Sequence, residues 1–181
     1  MIGIKELLRL VSEQKLVEGL CDRELNDPEG AGFDLRLAEV FNLVGGGFLG
    51  VKDRQTPETK SVAKYDPDKI DDNNFFVFEP GKYHLVKTIE KVNLPFDLLG
   101  LLFMRTTLFR SGLALFVSSV APGYMGELTF GICNLGNSDI RVSLGARIVH
   151  ITFQEVSGGG NEYRGQWQGG RVSTNGKEEQ V

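Results

Sequence analysis

Apolar residues open the chain at helical spacing. Ile2, Ile4, Leu7, Leu8 and Val11 recur every three or four positions with charges between them, which predicts an amphipathic helix. A second short helix is expected at 16–20, and 22–31 is a run of turn formers. The texture then changes: Phe33-Asp34-Leu35-Arg36-Leu37 alternates, as do residues 40–43, and alternation predicts strands. Residues 50–74 are polar and read as a long exposed insert with the character of a mobile loop. From 75 onward, short apolar segments at 75–78, 83–86, 98–103, 113–117, 128–132, 140–144 and 148–153 are cut by Pro80-Gly81, Pro122-Gly123 and Gly136-Asn137. Segments this short, filled with β-branched and aromatic residues, predict a mainly β fold, a sandwich or jelly roll. The expected organisation is a β domain over 1–156, carrying the N-terminal helix and the insert, followed by a glycine-rich tail over 157–181. That tail is either disordered or a flap that orders over a ligand.

Composition narrows the function classes. A chain of 181 residues with 41% hydrophobic positions suits one domain with a real core. Twenty basic against 24 acidic residues leave a net charge of -4, which argues against a nucleic-acid coat but allows a small basic pocket for one phosphorylated ligand. No apolar run reaches the length of about 18 residues that predicts a membrane span. Charges throughout residues 1–19 read against a secretory signal, so a cytoplasmic protein is the expectation. Cys21 and Cys133 give neither a disulfide framework nor a zinc site. With 23 glycines and only 6 prolines, tight turns and close backbone approaches are expected.

The candidate chemistry lies in three segments. His84 and His150 are far apart in sequence, metal-bound catalysis is not suggested, and both are expected to be structural. Zinc-deaminase, Walker-type and Rossmann patterns and the Gly-x-Ser-x-Gly elbow are missing. In Met104-Arg105-Thr106-Thr107-Leu108-Phe109-Arg110, two arginines flank two hydroxyls. They form either a phosphate cradle, with Arg forks and Thr donors, or a solvated basic turn between strands. Tyr124, between Gly123 and Gly126, suggests a hairpin whose aromatic ring either stacks on a sugar or base or simply packs. The tail segment Tyr163-Arg164-Gly165-Gln166-Trp167-Gln168-Gly169 contains the chain's one Trp, which favours a flap ordering over a phosphorylated ligand.

Together these segments resemble the dCTP deaminase and dUTPase superfamily, on its dCTP deaminase-like branch. Gly32-Phe33-Asp34-Leu35-Arg36 is similar to the family's Gly-Tyr-Asp-Leu-Arg, and Arg105-Thr106-Thr107-Leu108-Phe109-Arg110-Ser111-Gly112 to its Arg-Ser-Ser-Leu-x-Arg-x-Gly. Pro122-Gly123-Tyr124-x-Gly126 resembles the third motif, residues 145–153 the fourth, and Tyr163 to Gly169 the closing flap. The resemblance implies a distorted jelly roll and a homotrimer with sites between subunits. It also implies a pyrimidine deoxynucleoside triphosphate held with Mg2+ through its phosphates. By the same resemblance Arg105, Thr106, Thr107 and Arg110 match positions that hold phosphates and water, with Arg110 and Thr106 the foremost catalytic candidates. Tyr124, Tyr163, Arg164, Gln166 and Gln168 match ligand contacts. No nucleic-acid or membrane partner is implied.

Two departures bear on activity. Deaminating members carry a Glu that serves as general acid/base, and its position here is Gly131. An Asp usually precedes the Pro-Gly, and here that position is Ala121. A frequent Gln of the fourth motif is His150. Losing a general base typically costs about 10²–10⁴ in rate. Glu127 is a candidate substitute, and Asp34 is either an inward carboxylate that organises the site or a strand-end partner. The expectation is therefore hydrolysis of dUTP to dUMP and diphosphate. The alternatives are a dCTP deaminase with an unusual acid/base and a catalytically silent nucleotide-binding relative.

Overall fold

The computed structural model describes residues 1–69 and 73–180. The elements in chain order begin with α1 (Ile4–Gln14), β1 (Val17–Glu18), α2 (Asp22–Asn26) and β2 (Gly32–Val44). The insert region holds β3 (Phe48–Leu49), β4 (Asp53–Gln55) and β5 (Glu58–Lys64). Then come β6 (Phe75–Phe78), β7 (Tyr83–Asn93), β8 (Leu98–Met104), α3 (Thr106–Arg110), β9 (Leu113–Phe116), β10 (Met125–Asn134), β11 (Ile140–Ser143) and β12 (Arg147–Glu155). A 3-10 turn at Gln168–Gly170 and β13 (Glu178–Glu179) complete the chain.

The main sheet runs β8-β12-β2-β7-β10-β9, all antiparallel, with β1 added on β7 and β5 on β2. Its two ends are drawn together where Gly100 of β8 exchanges backbone hydrogen bonds with Val120, 2.9 and 2.8 Å, so the sheet is a nearly closed barrel. The expected mainly β jelly-roll architecture is the observed one. Alternation explains why these segments form strands. In β7, His84, Val86, Thr88, Glu90 and Val92 are buried on one face. Of these, Val86 and Val92 meet Phe33, Leu35, Leu37, Val40, Phe130, Ile132, Ile148 and Ile151 in one core. Polar residues on the buried face are paired: Glu90 takes the Arg36 side chain at 2.6 Å and the Arg36 backbone N–H at 2.7 Å, fastening β7 to β2.

Two expectations fail. Residues 16–20 hold strand β1, because Val17 pairs with Val92, and the helix lies in the supposed turn at 22–26. The insert is not a free loop. Thr56 and Thr174 exchange backbone-to-hydroxyl hydrogen bonds of 3.0 and 2.9 Å, β4 pairs with β13, and Arg54 Nε donates to Gln166 at 2.6 Å. The polar side chains of the insert thus serve as partners for the tail. Residues 70–72 of the insert and residue 181 of the tail lie outside the described residues. Replacing Thr56 and Thr174 together by valine leaves two backbone N–H groups without acceptors, at about 1–3 kcal/mol each. Trypsin cleavage after Arg164 and Arg171 is expected to speed up about tenfold or more, read by intact mass.

Candidate active site

Asp34 organises one end of the barrel. Residue 34 points inward from β2 and is 2% exposed. Its carboxylate pairs with Arg105, which sits between β8 and α3, with Arg147 of β12 at 3.1 Å, and with Nδ1 of His150 at 2.9 Å. Glu24 of α2, 1% exposed, lies behind it, accepting the Asp34 backbone N–H at 2.9 Å and pairing with Arg23 at 2.5 Å. Three guanidinium groups thus converge on two buried carboxylates, with their outer sides 28–39% exposed. Burial and the neighbouring Arg147 hold the Arg105 guanidinium below its usual range. Arg105 is engaged by Asp34 rather than free, so any phosphate it meets must share it with that carboxylate. The sequence offered Asp34 and Arg105 but gave no sign of Glu24.

A second feature is a cavity of about 330 Å³ beside Leu102 of β8. Its walls are Leu85, Leu102, Val117 to Ala121, and Thr129, roofed by Tyr163, Trp167 and Arg171 from the tail and Thr56 from the insert. The wall is apolar apart from a few placed polar atoms, as in small-molecule sites. Thr129 Oγ1 is buried and has no hydrogen-bond partner among the described residues. Arg54 Nη2 of the insert and Gln166 Nε2 of the tail, whose side chains are hydrogen-bonded to each other, are in the same condition, though neither residue lines the cavity. Neither Thr129 nor Arg54 was anticipated; an unmet polar group is visible only once its neighbours are placed.

The remaining candidates fall into distinct places. Tyr124 lines the cavity but is packed. Its hydroxyl donates to the Glu127 carbonyl at 2.6 Å, its ring meets Tyr163 edge-on at 5.4 Å, and burial pushes its hydroxyl up to about 12. Gln168 spends its amide on the hairpin, accepting from Met125 N at 2.8 Å and donating to Gly123 O at 2.9 Å, so it fastens the tail. Glu127 faces Lys91 at 3.6 Å and does not line the cavity. Arg164 is exposed. Thr106, Thr107 and Arg110 lie exposed on α3, and none of them reaches the cavity of its own chain.

At Gly131 the structure supplies a reason for the glycine. A Cβ there would stand 2.1 Å from Tyr83 Oη and 2.5 Å from its Cζ. The Tyr83 ring, braced by Phe116 at 5.7 Å, fills the space of a residue-131 side chain. Burial raises the Tyr83 pKa, which makes this phenol a neutral donor rather than a base.

Comparison with known proteins fits these motifs. The dCTP deaminase-like family matches residues 3–156. A dCTP deaminase of Thermococcus kodakarensis is 31% identical over 163 residues, covering 89% of this chain and 90% of that protein. A probable deoxyuridine 5'-triphosphate nucleotidohydrolase of Methanopyrus kandleri is 26% identical, covering 87% of this chain and 98% of that one. Among solved structures, the 2'-deoxycytidine 5'-triphosphate deaminase of Agrobacterium tumefaciens superposes with a TM-score of 0.61 at 17% identity. That likeness covers 84% of this chain and 47% of the other, and it speaks to the fold. By its sequence match, its motifs and its barrel, this chain belongs to the dCTP deaminase-like family.

Proposed function

We propose that this chain hydrolyses a pyrimidine deoxynucleoside triphosphate, dUTP to dUMP and diphosphate, and does not deaminate dCTP. The observation that carries the reading is Gly131 under the Tyr83 ring: where deaminating members need a carboxylate, this chain offers a neutral phenol. A general base cannot be made from it at neutral pH. Phosphoryl transfer leans instead on positioning and charge, and the cationic cluster of Arg105 and Arg147, with Arg110 on α3, retains both.

In this reading the cavity takes the pyrimidine and sugar, with Thr129 Oγ1 as a polar contact and the tail as a closing flap. The phosphates extend to the guanidinium groups. Asp34 is already held by Arg105, Arg147 and His150, so Mg2+ would be carried on the triphosphate's own oxygens, where it neutralises developing charge. Since Arg105, Thr106, Thr107, Arg110, Arg147 and His150 all miss the cavity of their own chain, we infer that a neighbouring subunit's α3, with the cluster beside it, completes the site, as in a homotrimer. Exposed Phe103, Phe109 and Phe116 give such an assembly apolar surface to bury.

The relatives named dCTP deaminase favour the second reading, deamination, and product analysis separates the two. Arg110→Ala removes an exposed side chain, so the melting temperature should move by no more than about 2 °C. Diphosphate release from dUTP should fall by at least 100-fold. Undiminished release by this variant would contradict the proposed role of α3.

A further inference from the structure

We propose that Asp34 and His150 form the general-base pair for this hydrolysis, with His150 Nε2 as the proton acceptor; the inference rests on the dUTP-hydrolysis reading above. An ionised carboxylate only accepts hydrogen bonds, so the 2.9 Å contact from His150 Nδ1 to Asp34 Oδ1 fixes the proton on Nδ1. Nε2 then carries the lone pair. No hydrogen bond reaches Nε2 among the described residues, and the imidazole is 24% exposed. Gly32 lies beside the ring, and any larger residue would crowd it: a Cβ at that position would stand 2.7 Å from Nε2 and 2.0 Å from the Ile151 carbonyl oxygen. A base held in one tautomer by a buried carboxylate, with no hydrogen bond on its other nitrogen, is an arrangement suited to water activation.

Its neighbours suit the reaction. His150 lies opposite Phe103 on β8, and two residues on Arg105 binds the other oxygen of the same Asp34 carboxylate. Base and phosphate fork therefore share one anchor. The groups facing the imidazole are Asp34 from β2, Arg105 from the β8–α3 bend, Arg147 on its own strand, and Glu24, with Arg23 and Glu29, from α2 and the turn after it. Burial lowers its pKa first, Glu24 and Glu29 oppose that, and Arg105 reinforces it. Asp34 is already neutralised by two guanidinium groups, so the imidazole stays unprotonated at neutral pH. In the step itself, a water oxygen bonds to the α-phosphorus as one water proton passes to Nε2. The bond from that phosphorus to the bridging oxygen breaks, and its electron pair leaves with the diphosphate. The imidazolium then returns its proton to solvent.

The test compares wild type with His150→Gln, using dUTP and Mg2+ across pH 5 to 9. The variant is expected to lose about 10²–10⁴ in kcat, with KM within threefold and an unchanged melting temperature. The wild-type profile should show an acid limb below about pH 6.5, and the variant should lack it. A purely structural histidine would leave that limb in place. Should the Gln variant fail to fold, diethyl pyrocarbonate on the wild type gives a second reading. Modification of His150 should abolish diphosphate release, and α,β-imido-dUTP should block both effects. Equal activity of wild type and His150→Gln, or full activity after His150 is modified, overturns the pair while leaving the hydrolase reading intact. A wild type inert toward dUTP, dCTP and dTTP instead overturns the hydrolase reading itself, and the pair with it.

Discussion

Asp34→Ala is expected to lower the melting temperature by about 6–20 °C. The carboxylate is buried and holds Arg105, Arg147 and His150 at once. Its removal leaves cations facing one another across a partly desolvated space, with Glu24 as the remaining buried counter-charge. Breaking one side of a buried pair costs about 3–5 kcal/mol. In a domain of this size each kcal/mol shifts melting by about 2–4 °C. Calorimetry or far-UV dichroism reads the result, and a loss below about 3 °C would mean that the cluster contributes little to the fold. Activity should vanish in the same variant, since Arg105 and His150 lose their common anchor.

The second large effect is expected at Gly131. Gly131→Glu should lower stability by about 1–3 kcal/mol, because the new Cβ meets the Tyr83 ring within 2.1–2.6 Å and overpacking of this kind costs that much. It should release no ammonia from dCTP as long as the Tyr83 ring keeps that space. Tyr83→Ala alone opens a small gap at a half-exposed position and costs little. In the double variant most of the lost stability should return, a coupling of at least 1 kcal/mol between neighbours in contact. Strictly additive melting shifts would show that Tyr83 does not hold that space.

The strands were legible in the sequence because their partners lie on regular faces. The alternation in β2, and the runs that became β8, β10 and β12, each announce a buried face, and a hydrophobic core needs nothing else from them. Elements stabilised from far away were not legible. Helix α2 contains Asp22-Arg23-Glu24, is followed by Pro28 and Gly30, and reads as a turn; Glu24 is drawn inward by Arg23, Arg147 and the Asp34 N–H. The insert looked like a loop because its partners, Ser173 and Thr174, come more than 110 residues later. At the site, the Arg105–Arg110 motif and Asp34 could be read from their residue types. Tyr83 could not: its contact with Gly131 depends on the register of β7 against β10.

The central claim is that the chain cleaves the phosphate chain of a pyrimidine deoxynucleotide and leaves the base untouched. The most direct measurement incubates the protein and Mg2+ with dUTP, dCTP or dTTP and assays diphosphate and ammonia separately. The account predicts diphosphate from dUTP well above background and no ammonia from dCTP. Stoichiometric ammonia from dCTP, or no product from any of the three, would contradict it.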